Sequence, residues 1–139
     1  MVEGERGLKA KLILCDAAVI HPDGTFSLLR GGIDLVTHSP GKPLIFRGAL
    51  VARIEATPAE KGSHSLKLMC IDEDGNSILP EASGSFQIAD KGGGYHLALN
   101  VQVVFPKVGR YDFRLSVDGH EMDVYTLTVL VQQKEPNKK

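Results

Sequence analysis

The stretches LALNVQVVF (97–105), PKVG (106–109) and RYDFRLSVDG (110–119) run consecutively, and their reading decides the fold. In the first, Leu97, Leu99, Val101, Val103 and Phe105 alternate with Ala98, Asn100, Gln102 and Val104. In the third, Tyr111, Phe113, Leu115 and Val117 alternate with Arg110, Asp112, Arg114 and Ser116. A period of two places alternate side chains on opposite faces of an extended chain, so both runs predict half-buried β-strands. Pro106–Gly109 is the corner between them, and Asp118-Gly119 ends the second strand.

Working outward, the same pattern recurs. Lys9–Ile20 reads as a first strand, nearly all apolar, either central and covered on both faces or shifting face at Asp16-Ala17-Ala18. His21–Gly24 is a turn and Thr25–Leu29 a short strand. The Gly31-Gly32 pair marks a bulge, or a bend where the chain crosses between sheets, before Ile33–Thr37. Leu44–Ala56 is a long strand with Leu44, Phe46, Leu50, Ala52 and Ile54 on one face. His64–Asp72 is a strand with Leu66, Leu68 and Cys70 inward, and Asp72–Asn76 is a hairpin turn. Gly84–Ala89 is a short strand with Phe86 and Ile88 inward. Asp90–Gly94 reads as the loosest loop. Met122–Gln132 is the last strand, apolar on both faces, hence central or a contact surface. About eight strands with no sustained helical period predict an antiparallel β-sandwich over residues 9–132, between tails at 1–8 and 133–139. A closed barrel fits the same turn spacing.

Composition narrows the function classes. The chain has 139 residues, enough for one domain with its own core. Its net charge of −1, from 16 basic and 17 acidic residues, gives no electrostatic case for nucleic acid. No apolar run reaches membrane-spanning length, and the charged start lacks the form of a signal peptide, so the cytoplasm is the expected compartment. Cys15 and Cys70 each lie in an apolar strand. They are read as two buried thiols or as an inter-sheet disulfide, which spacing alone leaves open.

Pro106-x-x-Gly109-x-Tyr111-x-Phe113 resembles the tyrosine-corner segment of immunoglobulin-like sandwiches. That resemblance assigns structural roles to Pro106, Gly109, Tyr111 and Phe113, with the Tyr111 hydroxyl tied back to the preceding loop. The segment departs from antibody domains, since Phe113 stands where they carry a cysteine and the chain has no tryptophan. Leu14-Cys15-Asp16-x-Ala18, Gly24, Leu28-Leu29-x-Gly31-Gly32, Ile71–Gly75 and Pro106–Gly119 together resemble an uncharacterised bacterial family with an immunoglobulin-like sandwich. The resemblance implies that fold and a bacterial or phage origin, and brings no activity.

Chemistry-bearing motifs are sparse. Asp72-Glu73-Asp74 is the densest acidic cluster, and a calcium site there would need help from Asp16, Asp23, Asp90, Asp118 or Asp123 on other loops. His21, His38, His64, His96 and His120 lack the paired spacing of a zinc site. Ser83-Gly84-Ser85 is no nucleophile elbow, and Gly92-Gly93-Gly94 is no phosphate cradle. No catalytic, metal or cofactor residue is expected. The leading expectation is a non-catalytic module that binds an unidentified protein partner or its own copy. The alternative is a ligand carrier or enzyme with a pocket at one end, drawing on Asp16, His21, His96 or His120.

Overall fold

A computed structural model describes residues 7–133 of the chain. Ten strands follow in order: β1 (Lys9–Cys15), β2 (Ala17–Ile20), β3 (Phe26–Leu29), β4 (Leu35–His38), β5 (Ile45–Ala56), β6 (Gly62–Ile71), β7 (Ala82–Ile88), β8 (Gly93–Val104), β9 (Gly109–Val117) and β10 (His120–Val131). They form a three-stranded sheet, β1-β5-β8, facing a five-stranded sheet, β4-β10-β9-β6-β7, with β2-β3 as a separate hairpin. The sheets are open, so the molecule is a β-sandwich and not a barrel. None of its described residues forms a helix long and apolar enough to cross a membrane.

The alternation read from sequence explains how the layers face. Leu12 and Leu14 of β1, Phe46, Leu50, Ala52 and Ile54 of β5, and Val101 and Val103 of β8 meet Leu66, Leu68, Cys70, Phe86, Ile88, Tyr111, Phe113, Leu115, Val117, Leu127 and Val129 in one core. Burying these side chains is the main term favouring the fold, at about 1.5–3 kcal/mol for each large one.

Several expectations are corrected. The first apolar run is two strands, because the chain leaves the small sheet at Asp16, whose N–H donates to the Leu29 carbonyl at 3.0 Å. β1 is an edge strand in its sheet. The Cys15 end of its outer face is nevertheless covered, since β2-β3 folds over that sheet and buries Cys15, Ala49 and Val51 against Ile13, Ala18, Phe26, Leu28 and Ala98, while Lys9 and Lys11 stay exposed. This third layer accounts for the unbroken burial of Ala49-Leu50-Val51-Ala52. Not every pairing is antiparallel: β4 runs parallel to β10, which makes β10 an interior strand. Parallel pairing follows from the long route of the chain, which departs through the hairpin and returns past Gly32 (φ 88°) on the far side of the core.

The glycine loop is also corrected. Gly93 and Gly94 are ladder residues of β8, opposite Ala56 and Glu55. Gly92 is the positive-φ residue of a tight turn, with its N–H on the Ala89 carbonyl at 2.9 Å. The expected tails at 1–8 and 133–139 lie outside the described residues except for Gly7, Leu8 and Gln133, and Leu8 packs against the core. Cys15 and Cys70 are unbonded thiols in different clusters.

At the corner before β9, the Tyr111 hydroxyl donates to the Lys107 carbonyl at 2.5 Å and its ring lies 4.5 Å from that of Phe105. Gly109 takes φ 143° there, Pro106 is exposed, and Phe113 is buried. Tyr111→Phe keeps the ring and removes the hydroxyl, leaving a partly buried carbonyl without its donor. We expect a loss of about 1–3 kcal/mol in urea unfolding with an unchanged slope. An unchanged midpoint would show that the tie contributes nothing to stability.

Candidate functional site

The site follows from two interruptions of the ladder. β7 pairs with β6 only from Gly62 to Leu68. Beyond that, the partner chain is Ser77–Glu81, which makes one bridge at Ile71–Ser77 and one bond from Ile78 N–H to the Cys70 carbonyl at 2.8 Å. Pro80 has no N–H to continue the ladder. The ladder on that side of β6 is therefore interrupted between Leu68 and Cys70, where the Ile78 bond to the Cys70 carbonyl is the one backbone bond of the lip beside it.

Facing that gap is β8, which pairs with β5 on one side only. The Phe105 N–H donates to the Leu44 carbonyl at 2.7 Å. Antiparallel pairs alternate between bonded and non-bonded. In this register Leu99, Val101 and Val103 turn their amide groups toward β5, while Ala98, Asn100, Gln102 and Val104 turn theirs to the free side. No backbone bond among the described residues covers that side between residues 98 and 104.

Between the two openings is a cleft of about 390 Å³. Leu50, Leu99 and Val101 form one wall, Leu68 and Phe113 the other, and Leu79–Ala82 the lip. Cys70 lies in the floor, and burial pushes its thiol up to about 12, which favours the neutral thiol over the thiolate. Cys15 is likewise pushed up by burial and donates to the Ala49 carbonyl at 3.4 Å. The edge is also uncharged: no Asp, Glu, Lys or Arg stands between Lys91 and Lys107. Native edge strands are commonly protected from pairing by charge, proline, a bulge or shortness. β8 is twelve residues long and carries none of the first three over residues 98–104.

The residues proposed for an enzyme are divided between the two ends of the β2-β3 hairpin and the opposite sheet. Asp16 accepts two bonds from Arg30, at 2.7 and 3.0 Å, at the base of the β2-β3 hairpin, and this pairing lowers its pKa. His21 bonds Ser27 at 2.7 Å and His96 bonds the Gly24 carbonyl at 2.7 Å, both near the hairpin tip. His120 begins β10, in the opposite sheet. In the acidic turn Asp72 accepts the N–H groups of Asn76 and Asp74 at 2.8 and 2.9 Å, the Asn76 bond foremost in lowering its pKa, and Asp74 pairs with Lys107 at 3.7 Å. Asp123 accepts the Leu12 N–H at 2.7 Å, covering part of the β1 edge. No group of three or more His, Cys, Asp or Glu that could hold a metal ion forms among the described residues. Sequence reasoning missed the cleft. The available signal was Pro80 interrupting a strand opposite the long uncharged run.

A family model for a family of unknown function, DUF6941, matches residues 11–130, which is nearly the whole sandwich. No match is found among the curated proteins. Among solved structures the chain is similar to a glycosyl hydrolase family 2 member from Bacteroides cellulosilyticus DSM 14838, with a TM-score of 0.41 and 10% identity over 66% of this chain. The chain spans only 15% of that protein's length.

Proposed function

The chain belongs to the family of unknown function DUF6941, which carries no activity with it, and we propose from its own geometry that it is a non-catalytic binding module. Its ligand is an extended protein segment that adds as a strand to the free side of β8. The observation that carries the reading is the coincidence of an unpaired, uncharged edge at residues 98–104 with an apolar cleft beside it. Backbone bonds to Ala98, Asn100, Gln102 and Val104 would supply affinity, and alternate apolar side chains entering the cleft would supply selectivity. The segment comes from another protein or from β8 of a second copy, and an uncharged edge meets its own copy without repulsion. The net charge of −1 supports excluding nucleic acid, and the two unbonded thiols support a reducing compartment, the cytoplasm. The Tyr111 tie supports reading the sandwich as immunoglobulin-like.

The test is Gln102→Pro. The Gln102 N–H points away from β5, so proline there removes no internal bond, yet it blocks an incoming strand. Ligands selected from a displayed peptide library are expected to shift amide resonances at 98–104 and 79–82, and to lose at least tenfold in affinity for the variant. If the chain self-associates in light scattering, the same substitution makes it monomeric. Binding that ignores Gln102→Pro, or that maps to another face, overturns the proposal.

A carrier of a small apolar ligand is the second reading, favoured by the cleft volume alone, which falls within the range of ligand pockets. Thermal stabilisation by small apolar compounds, undiminished in Gln102→Pro, would decide for it.

A further inference from the structure

At the opposite end of the same flank the two sheets are closed by a stack of rings. Tyr95 of β8 lies 4.9 Å from Phe86 of β7, nearly parallel at 15°, and Phe86 lies 5.4 Å from His64 of β6 at 23°. The His64 side chain is only 12% exposed, and both of its nitrogens face acceptors. Nδ1 lies 2.6 Å from Asp118 Oδ2, in the turn between β9 and β10. Nε2 lies 2.6 Å from the backbone carbonyl of Glu60, at the end of the 3-10 turn Pro58–Glu60.

Both partners are held in place by other bonds. Asp118 accepts the Ser65 N–H at 2.9 Å and returns its own N–H to the Ser65 carbonyl at 2.9 Å. Its backbone sits at φ 51°, which an aspartate tolerates better than most residues. The Glu60 carboxylate is committed elsewhere, accepting from Thr57 N–H and Oγ1, both at 2.7 Å, and from Gly7 N–H at 2.8 Å. A neutral imidazole has one N–H and one lone pair, whereas an imidazolium donates from both nitrogens. The observed pair of acceptors at 2.6 Å therefore suits the charged ring. In the neutral ring, a lone pair would face either a carbonyl oxygen or a carboxylate.

We infer that His64 is a proton-operated clamp: its charged ring ties the Pro58–Glu60 turn to the β9–β10 turn and holds the ring stack shut, and loss of one proton gives up one of the two ties. This inference is independent of strand addition at β8. The charges bearing on the ring are Asp118 and Glu60. From β7 it meets the uncharged Phe86, and the Tyr95 phenol lies beyond that.

The sign follows from the partners. The Asp118 bond first, and the Glu60 carbonyl bond second, raise the His64 pKa above the ordinary 6.5. The clamp's stabilisation is thus complete below pH 6.5 and is lost as pH rises through the raised value. The His64 bond lowers the Asp118 pKa below 3.8, so that carboxylate's contribution is present above 3.8 and is lost as pH falls through its lowered value. The clamp is tightest between those two limits.

Proton NMR titration of the intact chain is the test. The His64 midpoint is expected above 6.5, with the Ser65 amide and the Tyr95 ring resonances shifting at the same midpoint. Asp118→Asn keeps a side chain suited to positive φ but removes the charge, and is expected to return the midpoint toward 6.5. The Tm advantage of the natural chain over His64→Gln should shrink as pH rises through the midpoint. A midpoint at or below 6.5, or Tyr95 and Ser65 signals that ignore the His64 titration, overturns the clamp. The titration of the natural chain decides this even if a variant fails to fold.

Discussion

Phe113→Ala is expected to lose about 3–5 kcal/mol of stability, the range for deleting a buried aromatic ring. Phe113 is 2% exposed on β9, the middle strand of the large sheet, and stands opposite Cys70 of β6 and Tyr125 of β10. Its ring is therefore enclosed along the sheet and by the facing layer. One feature moderates the loss. The ring also walls the cleft of about 390 Å³, so the space it vacates would merge with an opening that solvent or neighbouring side chains can reach. That places the effect toward the lower end of the range. Domains of this kind are stable by about 5–15 kcal/mol, so the variant would sit near the limit of folding. Val104→Ala is the control: Val104 is 61% exposed, and its truncation is expected to stay within about 0.5 kcal/mol. Urea unfolding with a common slope measures both. A loss under about 1 kcal/mol for Phe113→Ala would contradict its placement in the core.

Gly92→Ala is expected to cost about 2–5 kcal/mol, from two separate penalties. The first is conformational, since Gly92 sits at φ 79° and the left-handed region disfavours a Cβ by about 1–2 kcal/mol. The second is steric. A Cβ there would lie 2.7 Å from the Thr57 carbonyl carbon, 2.8 Å from the Ala56 oxygen and 2.9 Å from the Pro58 nitrogen. All three are backbone atoms, and the segment is pinned by the Thr57–Glu60 capping box, so relief requires the main chain to move. Gly75 isolates the two terms: its φ is 85°, but a Cβ there meets nothing within 4 Å. Gly75→Ala should therefore show only the conformational penalty, and equal losses for the two substitutions would remove the steric part of the account.

Gly92 also illustrates where local reading stops. Three consecutive glycines signal looseness when only chain neighbours are considered. The contact that makes one of them necessary comes from residues 56–58, more than thirty positions earlier. His64 is similar. As a residue near a strand start it carries no signal of its own, and its role depends on a carbonyl four residues back and a carboxylate 54 residues on. The cleft went unread, although an uncharged run and a proline in a partner strand are both present in the sequence. Its existence still depended on β8 being last in its sheet, which no periodicity expresses.

By itself the sequence determined the all-β class and the inward faces of the long strands, because the alternation of side chains on an extended backbone is a local property. Only the tertiary structure decided that the first apolar run divides, that a hairpin forms a third layer over Ala49 and Val51, and that β4 lies parallel to β10. It alone decided which edge stays open. Strand order is a contest among pairings of similar local merit, and it is settled by how all the layers bury one another at once.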